Sequence, residues 1–227
     1  MTATPAAGPA LRAMVVNGSP NRPSDTAGLI EVIPSMTATP AAGPALRVVV
    51  VNGSPNRPSK TMGLVDVILA TLAEMMPIQT SRIDVYELGP EFTGVVEREQ
   101  VSPDVEAALK LAENADLLIA AIPVFRGSYP GMFKHFFDLV DQYALAGRLV
   151  LLAATGGGEH HALVLEHALR PLFGFFQALT VPVAIFAAAA DFDGTILLNP
   201  RVHGRIQLAL TDVADLLRTR APAAAAH

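Results

Sequence analysis

The sequence predicts an α/β fold in which a doubly wound, five-stranded parallel sheet carries helices on both faces. Three observations lead there. Strand-like apolar runs recur five times, the first a continuous β-branched run ending in a turn, as a strand covered on both faces does. Helix-length segments alternate with them, which is what parallel neighbours require for their crossovers. One near-identical segment is present twice in the 227 residues; setting one copy aside leaves about 190, the size of a single α/β domain.

In chain order, "RVVVVNGS" is the first strand, ending in a turn. Leu64, Ile68, Leu72 and Met75 then recur at helical spacing and predict a helix from Thr61 to Met76. "SRIDVYEL" is a second, more alternating strand, followed by a helix from Pro103 to Asn114. "ADLLIAAIPV" is the third strand, with a helix from Gly131 to Tyr143 after it. "GRLVLLAATGG" is the fourth, followed by a helix from His161 to Leu179. "VPVAIFAAAA" is the fifth, and a last helix runs from Pro200 to Arg218. Five of each match the flavodoxin-like count. Such open sheets bind ligands beyond the carboxyl ends of their strands at the switch point. The loops "NGSPNRPSKT", "PVFRGSYPGMFK" and "TGGGEHH" are therefore the candidate site.

The stretch "VVNGSPNRPS" stands at Val15 to Ser24 and again at Val50 to Ser59, and "MTATPAAGPALR" precedes each copy at a constant offset of 35 residues. Stacked repeat folds need about three units or more, so one copy is expected to be surplus. Copy two continues into the full first helix. Copy one continues "DTAGLIEVIPS", where Pro34 ends a helix after about two turns because proline lacks the amide and clashes with the preceding turn. Copy one also has Asp25 where copy two has Lys60, a negative charge beside any anion the loop would cradle. The expected organisation is a dispensable segment 1–35, a functional domain 36–220, and a mobile Ala/Pro tail 221–227. The "MVVNGS" of copy one keeps strand propensity and is expected to compete for a sheet position or add to an exposed edge.

Composition narrows the function. The chain is 51% hydrophobic with mean hydropathy +0.40, yet its longest apolar stretch stops at Asp191, short of the ~18 residues a membrane span needs. No basic-then-apolar leader opens the chain and it has no cysteine, so a soluble, cytoplasmic protein without disulfides is expected. A net charge of -5 argues against a nucleic-acid footprint and for a small-molecule partner.

In "GSPNRPSKT", the hydroxyls of Ser54, Ser59 and Thr61, the backbone amides and the dipole of the following helix make a metal-free phosphate site. The competing reading is that Ser59 or Thr61 caps the helix. A Walker loop needs Gly where Ser59 stands, and the first turn lacks G-x-G-x-x-G, so a nucleoside triphosphatase and a Rossmann dehydrogenase are both disfavoured. In the second loop, Pro123, Phe125, Gly127, Tyr129 and Gly131 let a flat ring lie against backbone, whereas Phe133, Phe136 and Phe137 read as core. The three glycines of "TGGGEH" allow close backbone approach or a turn. Glu159, His160, His161, Glu166 and His167 lack the i, i+4 histidine pair of a helical metal site, so no metal is expected. Ser128 in "RGSYPG" is not a nucleophile elbow, and Asp191 is expected to cap a turn.

The segments "GSPNRPSKT", "PVFRGSYPGMFKHFFDLVD", "LLAATGG" and "HALVLEHALRPLFGFF" together resemble the NAD(P)H-dependent FMN reductases, from about Val48 to Arg218. The resemblance is strongest to those that feed reduced flavin to alkanesulfonate or methanesulfonate monooxygenases. It implies an FMN phosphate held by Ser54, Arg57, Ser59, Lys60 and Thr61. The isoalloxazine would lie against Pro123, Val124, Phe125, Arg126 and Gly127, with Thr155, Gly156 and Gly157 near its pyrimidine end. NADH or NADPH would pass hydride to the flavin with no side-chain acid or base, since the cofactor carries the chemistry. Arg126 would hold the pyridine nucleotide or face solvent. The resemblance further implies a flavin-dependent monooxygenase as partner and a homo-oligomer, dimer or tetramer, joined through "HHALVLEHALRPLFGFF". A π-type bulge in that helix, with His167 as the inserted residue, is also implied. Two alternatives stay open: an FMN-holding quinone, azo-dye or chromate reductase, and a flavodoxin-like electron carrier, for which -5 is only mildly acidic. No 2′-phosphate clamp is visible to choose between NADH and NADPH.

Overall fold

The computed structural model describes residues 30–33 and 45–220. Its elements run β1 (Ile30–Ile33), β2 (Leu46–Asn52), α1 (Lys60–Met75), β3 (Ile78–Asp84), α2 (Pro90–Thr93) and α3 (Pro103–Glu113). They continue with β4 (Leu117–Pro123), α4 (Gly131–Leu139), β5 (Leu149–Gly156), α5 (Arg170–Phe175), β6 (Leu179–Thr180) and β7 (Ile185–Ala188). A hairpin of β8 (Phe192–Asp193) and β9 (Ile196–Leu197) precedes α6 (Pro200–Arg220). The sheet order is β1-β3-β2-β4-β5, with β6 and β7 both alongside β5. Among the described strands of this sheet, every pairing from β3 across to β7 is parallel and β1 runs antiparallel, against β3.

Alternation along the buried strands sends side chains to two core layers, as the twofold period of a strand requires. Val48, Val50, Ile119 and Leu151 meet Leu64, Ile68 and Leu72 of α1 and Ile206, Leu210 and Val213 of α6. Val49, Val51, Leu118 and Leu152 meet α3, α4 and α5 across Val105, Leu109, Phe133, Phe136, Phe137 and Phe173. The doubly wound expectation holds, and Phe133, Phe136 and Phe137 are core residues as read. Among the described residues no helix is long and apolar enough to cross a membrane.

Four expectations need correction. The fifth strand is two short pieces, because Pro182 has no amide for the ladder after Val181 N donates to Val150 O at 2.9 Å. The carbonyls freed there are taken by Arg170, which donates to Val181 O at 3.1 Å and to Pro182 O at 3.2 Å. The second strand starts three residues early, at Ile78, and ends at Asp84, where the chain turns into a 3₁₀ segment. The helix expected from Gly131 to Tyr143 stops at Leu139, and Asp141 turns the chain by accepting from Tyr143 N at 2.9 Å.

The fourth correction concerns copy one. Its Ile30–Ile33, expected within a short helix, is an antiparallel edge strand in register with Ile83, Arg82, Ser81 and Thr80. Pro34 leaves too few residues for a helix to propagate, whereas β-branched Ile30, Val32 and Ile33 suit the open edge that β3 presents. The "MVVNGS" of copy one and the tail 221–227 lie outside the described residues.

The expected helix from His161 to Leu179 is present as three consecutive forms: a 3₁₀ stretch Glu159–Leu163, a π turn Leu165–Leu169, and α5. The π turn has His167 at its centre, as the resemblance implied. Arg170 N donates to Leu165 O, five residues back, and Pro171 has no amide to restore the α pattern at the next step. The helix ends at Phe175, and Gln177, with a positive φ of 55°, turns the chain toward β6.

A charge cluster ties α3 to the segments beside it. Arg98 donates to both oxygens of Glu106, at 2.9 and 2.8 Å, and to Glu113 at 3.2 Å. Glu113 is buried and also accepts from Lys110 at 2.9 Å and from Asp141 N at 3.1 Å.

Candidate functional site

Three loops meet at the carboxyl ends of β2, β4 and β5. The first leaves β2 through buried Asn52, whose Nδ2 donates to Asp84 Oδ1 at 2.6 Å while its Oδ1 accepts from Ser54 N at 3.0 Å. Gly53 leaves room for its neighbours, because a Cβ there would lie 3.0 Å from the Phe133 ring and 3.2 Å from Ile122 and would push on both. Ser54 Oγ then accepts from Asn56 N at 3.3 Å, and Ser59 Oγ accepts from Met62 N at 3.1 Å. Ser59 is thus the N-cap of α1, the competing reading of this loop; Thr61 is not. Both serine hydroxyls act here as acceptors, so their own protons remain to be donated. The amides of Lys60 and Thr61 have no intrahelical acceptor, and no acidic residue stands in the first turn. The loop is therefore a set of donors at the positive end of a helix dipole, which suits a phosphate.

Arg57 does not join that set. Its guanidinium pairs with Asp84 and, through Nε at 2.7 Å, with Glu87. Asp84 is buried and also accepts from Arg82 Nε at 2.9 Å. Sequence reasoning missed Asn52 and Asp84, which together set the course of the loop. The available signal was a polar residue at the end of each apolar strand, Asn after "VVVV" and Asp after "RI".

The second loop folds back on itself. Phe125 N donates to Ser128 O at 2.8 Å and Ser128 N to Phe125 O at 3.0 Å, with Arg126 and Gly127 at φ 50° and 82°. Two consecutive positive φ values make this a type I′ turn, which explains the glycine. The amides of Arg126 and Gly127 at its apex have no acceptor among the described residues.

Two bonds stitch the loops together. Thr61 Oγ1 lies 2.7 Å from Thr155 Oγ1, both buried, and Val124 N donates to Thr155 O at 2.7 Å. Pro123 is in register with Thr155 across β4 and β5. Ser54, Ser59, Lys60, Thr61, Pro123, Val124 and Thr155 are thereby brought to one end of the sheet, with the turn Phe125–Arg126–Gly127 at its rim. Gly156 and Gly157 follow Thr155, but His161 packs against them: a Cβ on Gly156 would lie 2.9 Å from His161 Cβ and 3.0 Å from its Nδ1. Beside this junction a pocket of about 230 Å³ is lined by Val124, Gly127, His160, His161, Leu163 and His167. Asp191 caps a turn, accepting from Ala188 N at 2.7 Å and Asn199 Nδ2 at 2.6 Å.

Comparisons with known proteins bear on this geometry. Residues 46–193 match the family described as NADPH-dependent FMN reductase. The chain is 46% identical to the NADH-dependent FMN reductase SfnF of Pseudomonas fluorescens (strain Pf0-1), over 66% of this chain and 81% of that protein. It is 45% identical to an FMN reductase (NADPH) of Pseudomonas aeruginosa (strain PAO1), over 67% of this chain and 82% of that protein. Among solved structures, an oxidoreductase from Corynebacterium diphtheriae superposes with a TM-score of 0.66 at 31% identity, covering 76% of this chain and 96% of that one.

Proposed function

The chain belongs to the NADPH-dependent FMN reductase family, and from that premise we propose that it releases reduced FMN to a separate flavin-dependent monooxygenase. It is an oxidoreductase that acts with NAD(P)H and FMN. Its working unit is the domain 36–220, in the cytoplasm where NAD(P)H is supplied. The observation that supports this placement of FMN is the loop of free hydroxyl protons and amides at the N-terminus of α1, bonded through Thr61 and Thr155 to the loops that receive the ring.

In this reading Ser54, Ser59 and Thr61 hydroxyls and the Lys60 and Thr61 amides hold the phosphate, with the Lys60 ammonium adding charge. Arg57 acts at one remove, neutralising Asp84 and Glu87 beside the loop. The ring lies against Pro123, Val124 and Phe125, where the apex amides of Arg126 and Gly127 are available to its edge, and near Thr155, Gly156 and Gly157. When bound, FMN supplies the hydride chemistry; the chain binds and orients it and contributes no proton donor of its own.

Purified protein is expected to oxidise NAD(P)H when free FMN is added, in air and anaerobically. Absence of FMN-stimulated turnover overturns the reading. In Ser59→Ala, FMN binding should weaken by about 1–3 kcal/mol, the cost of leaving a buried polar partner unmet. Loss of the cap itself should cost about 1 kcal/mol of stability, read as a lower Tm. An unchanged Kd removes Ser59 from the phosphate site.

Assembly as a dimer or tetramer through residues 161–179 is part of the same proposal. Leu163 and Phe175 are 62% and 65% exposed, and a groove of about 720 Å³ at Phe175 is lined also by Tyr129, Phe137, His167, Leu172 and Phe176. Leu169 and Phe173 do not serve this face: they are buried, with Phe173 packed on Phe137 at 5.0 Å between ring centroids, whereas Phe176, also buried, has its edge on the groove. Charge at Phe173 would disrupt the core rather than an interface. The double variant Leu163→Glu/Phe175→Glu should lower the mass by light scattering while the far-UV spectrum holds, and an unchanged mass places the interface elsewhere.

A further inference from the structure

Among the described residues, one buried side-chain polar atom has no hydrogen-bond partner: Nδ1 of His161. The imidazole lies over the Gly156–Gly157 backbone, in space that a Cβ at position 156 would occupy at 2.9–3.0 Å. A glycine here therefore makes room for His161. The ring is braced on another side by His160, with centroids 4.1 Å apart. A proton on Nδ1 would be a buried donor with no acceptor, whereas a proton on Nε2 faces the pocket and can be donated there to water or to a ligand. The proton of the neutral ring is thus held on Nε2. That nitrogen has no partner among the described residues and is not buried, and His161 lines the pocket it shares with Val124 and Gly127 of the ring loop.

We infer that His161 is a flavin-contacting residue: a fixed Nε2–H donor that bonds an acceptor on the pyrimidine edge of the flavin ring and binds reduced FMN more tightly than oxidised FMN. The inference rests on the FMN placement proposed above. Hydride addition to the flavin leaves its reduced form with negative charge shared over the pyrimidine ring and its carbonyl oxygen. A donor aimed at that edge gains strength as the charge develops, because hydrogen bonds to charged acceptors are roughly twice as strong as neutral ones. Gly156 and Gly157 then serve the cofactor indirectly, by seating the imidazole that touches it.

The test has a part that needs no flavin. Nitrogen-15 NMR of the imidazoles in the wild-type protein should show His161 as the Nε2–H tautomer, with its Nε2 signal moving on FMN addition; the Nδ1–H tautomer, or an Nε2 signal that FMN leaves in place, overturns the proposal. Dissociation constants for oxidised and reduced FMN are then measured for wild type, His161→Gln, His161→Asn and His161→Phe. Glutamine carries its amide near the Nε2 position and should keep the preference for reduced FMN. Asparagine and phenylalanine should lose about tenfold of that preference, the scale of a hydrogen bond to a charged group. For a two-electron couple this is a potential lower by about 30 mV. An asparagine variant that binds both forms with the wild-type ratio refutes the role of His161 and leaves the FMN placement standing. Failure of wild type to bind FMN at all strikes the placement itself.

Discussion

Deletion of Met1 to Ser35 is expected to leave FMN binding and NAD(P)H oxidation intact, because Met36 to Ser59 supplies its own strand and loop and runs into the full α1. What it removes from the described structure is β1, which exposes the Thr80–Ile83 edge of β3. An open edge favours pairing between chains, so the shortened protein should keep its activity per site but associate more readily at high concentration. The contrasting deletion, Met36 to Ala70, joins copy one directly to "TLAEMM". Pro34 then falls inside the first helix, at a cost of about 3 kcal/mol or more, and Asp25 replaces Lys60 at its start. Strand β1 is consumed as well, since its residues are drawn into that helix. This second deletion variant should bind FMN poorly and melt lower. If the first deletion abolishes activity and the second retains it, copy one holds the site and the assignments in the duplicated segment move back by 35 residues.

Arg98→Ala should lower stability by about 3–5 kcal/mol, the usual cost of removing one partner from a buried ion pair. At this chain length that is roughly 6–20 °C in Tm. The lower half of the range is favoured, because Lys110 and the Asp141 amide still reach the buried Glu113. The effect should depend on pH. Burial pushes the Glu113 carboxyl up, but hydrogen bonds from Arg98, Lys110 and the Asp141 amide outweigh it and hold the group below its ordinary value. Glu106 is also held low, chiefly by its Arg98 hydrogen bonds. A carboxyl depressed on folding contributes stability above its unfolded pKa, about 4.3, and loses that contribution as pH falls through the folded value. The gap in Tm between wild type and Arg98→Ala should therefore be full near neutrality and close progressively below about pH 4. A gap that stays constant down to pH 3 means that the cluster contributes packing rather than charge pairing.

Much of this molecule is legible in its sequence because the signals are local. The buried run "VVVV" can only be a central strand, and a loop rich in hydroxyls before a lysine and an apolar helix reads as an anion site. Ser59 and Thr61 were singled out this way and the "TGG" segment by its glycines, and the structure brings all three to one end of the sheet. The roles of individual atoms were not legible in that way. Ser59 both caps α1 and keeps a proton to give, and Arg57 is turned onto Asp84 and Glu87 by carboxylates 27 and 30 residues away in the chain. Likewise Phe173 and Phe175 look equivalent on paper, yet one is buried and the other 65% exposed, because only one faces the sheet.

The duplicated segment separates the two kinds of information most clearly. "GLVDVI" in copy two lies within α1, while "IEVI" of the nearly identical "GLIEVI" in copy one is β1. Local preference alone does not divide them, since both are β-branched and both carry an apolar pattern. The sequence by itself determined that one copy could extend its helix and the other could not, through a single proline at position 34. Only the tertiary structure decided what the other copy does instead, because an edge of β3 with unpaired amides and carbonyls offers a strand what a two-turn helix in water cannot obtain.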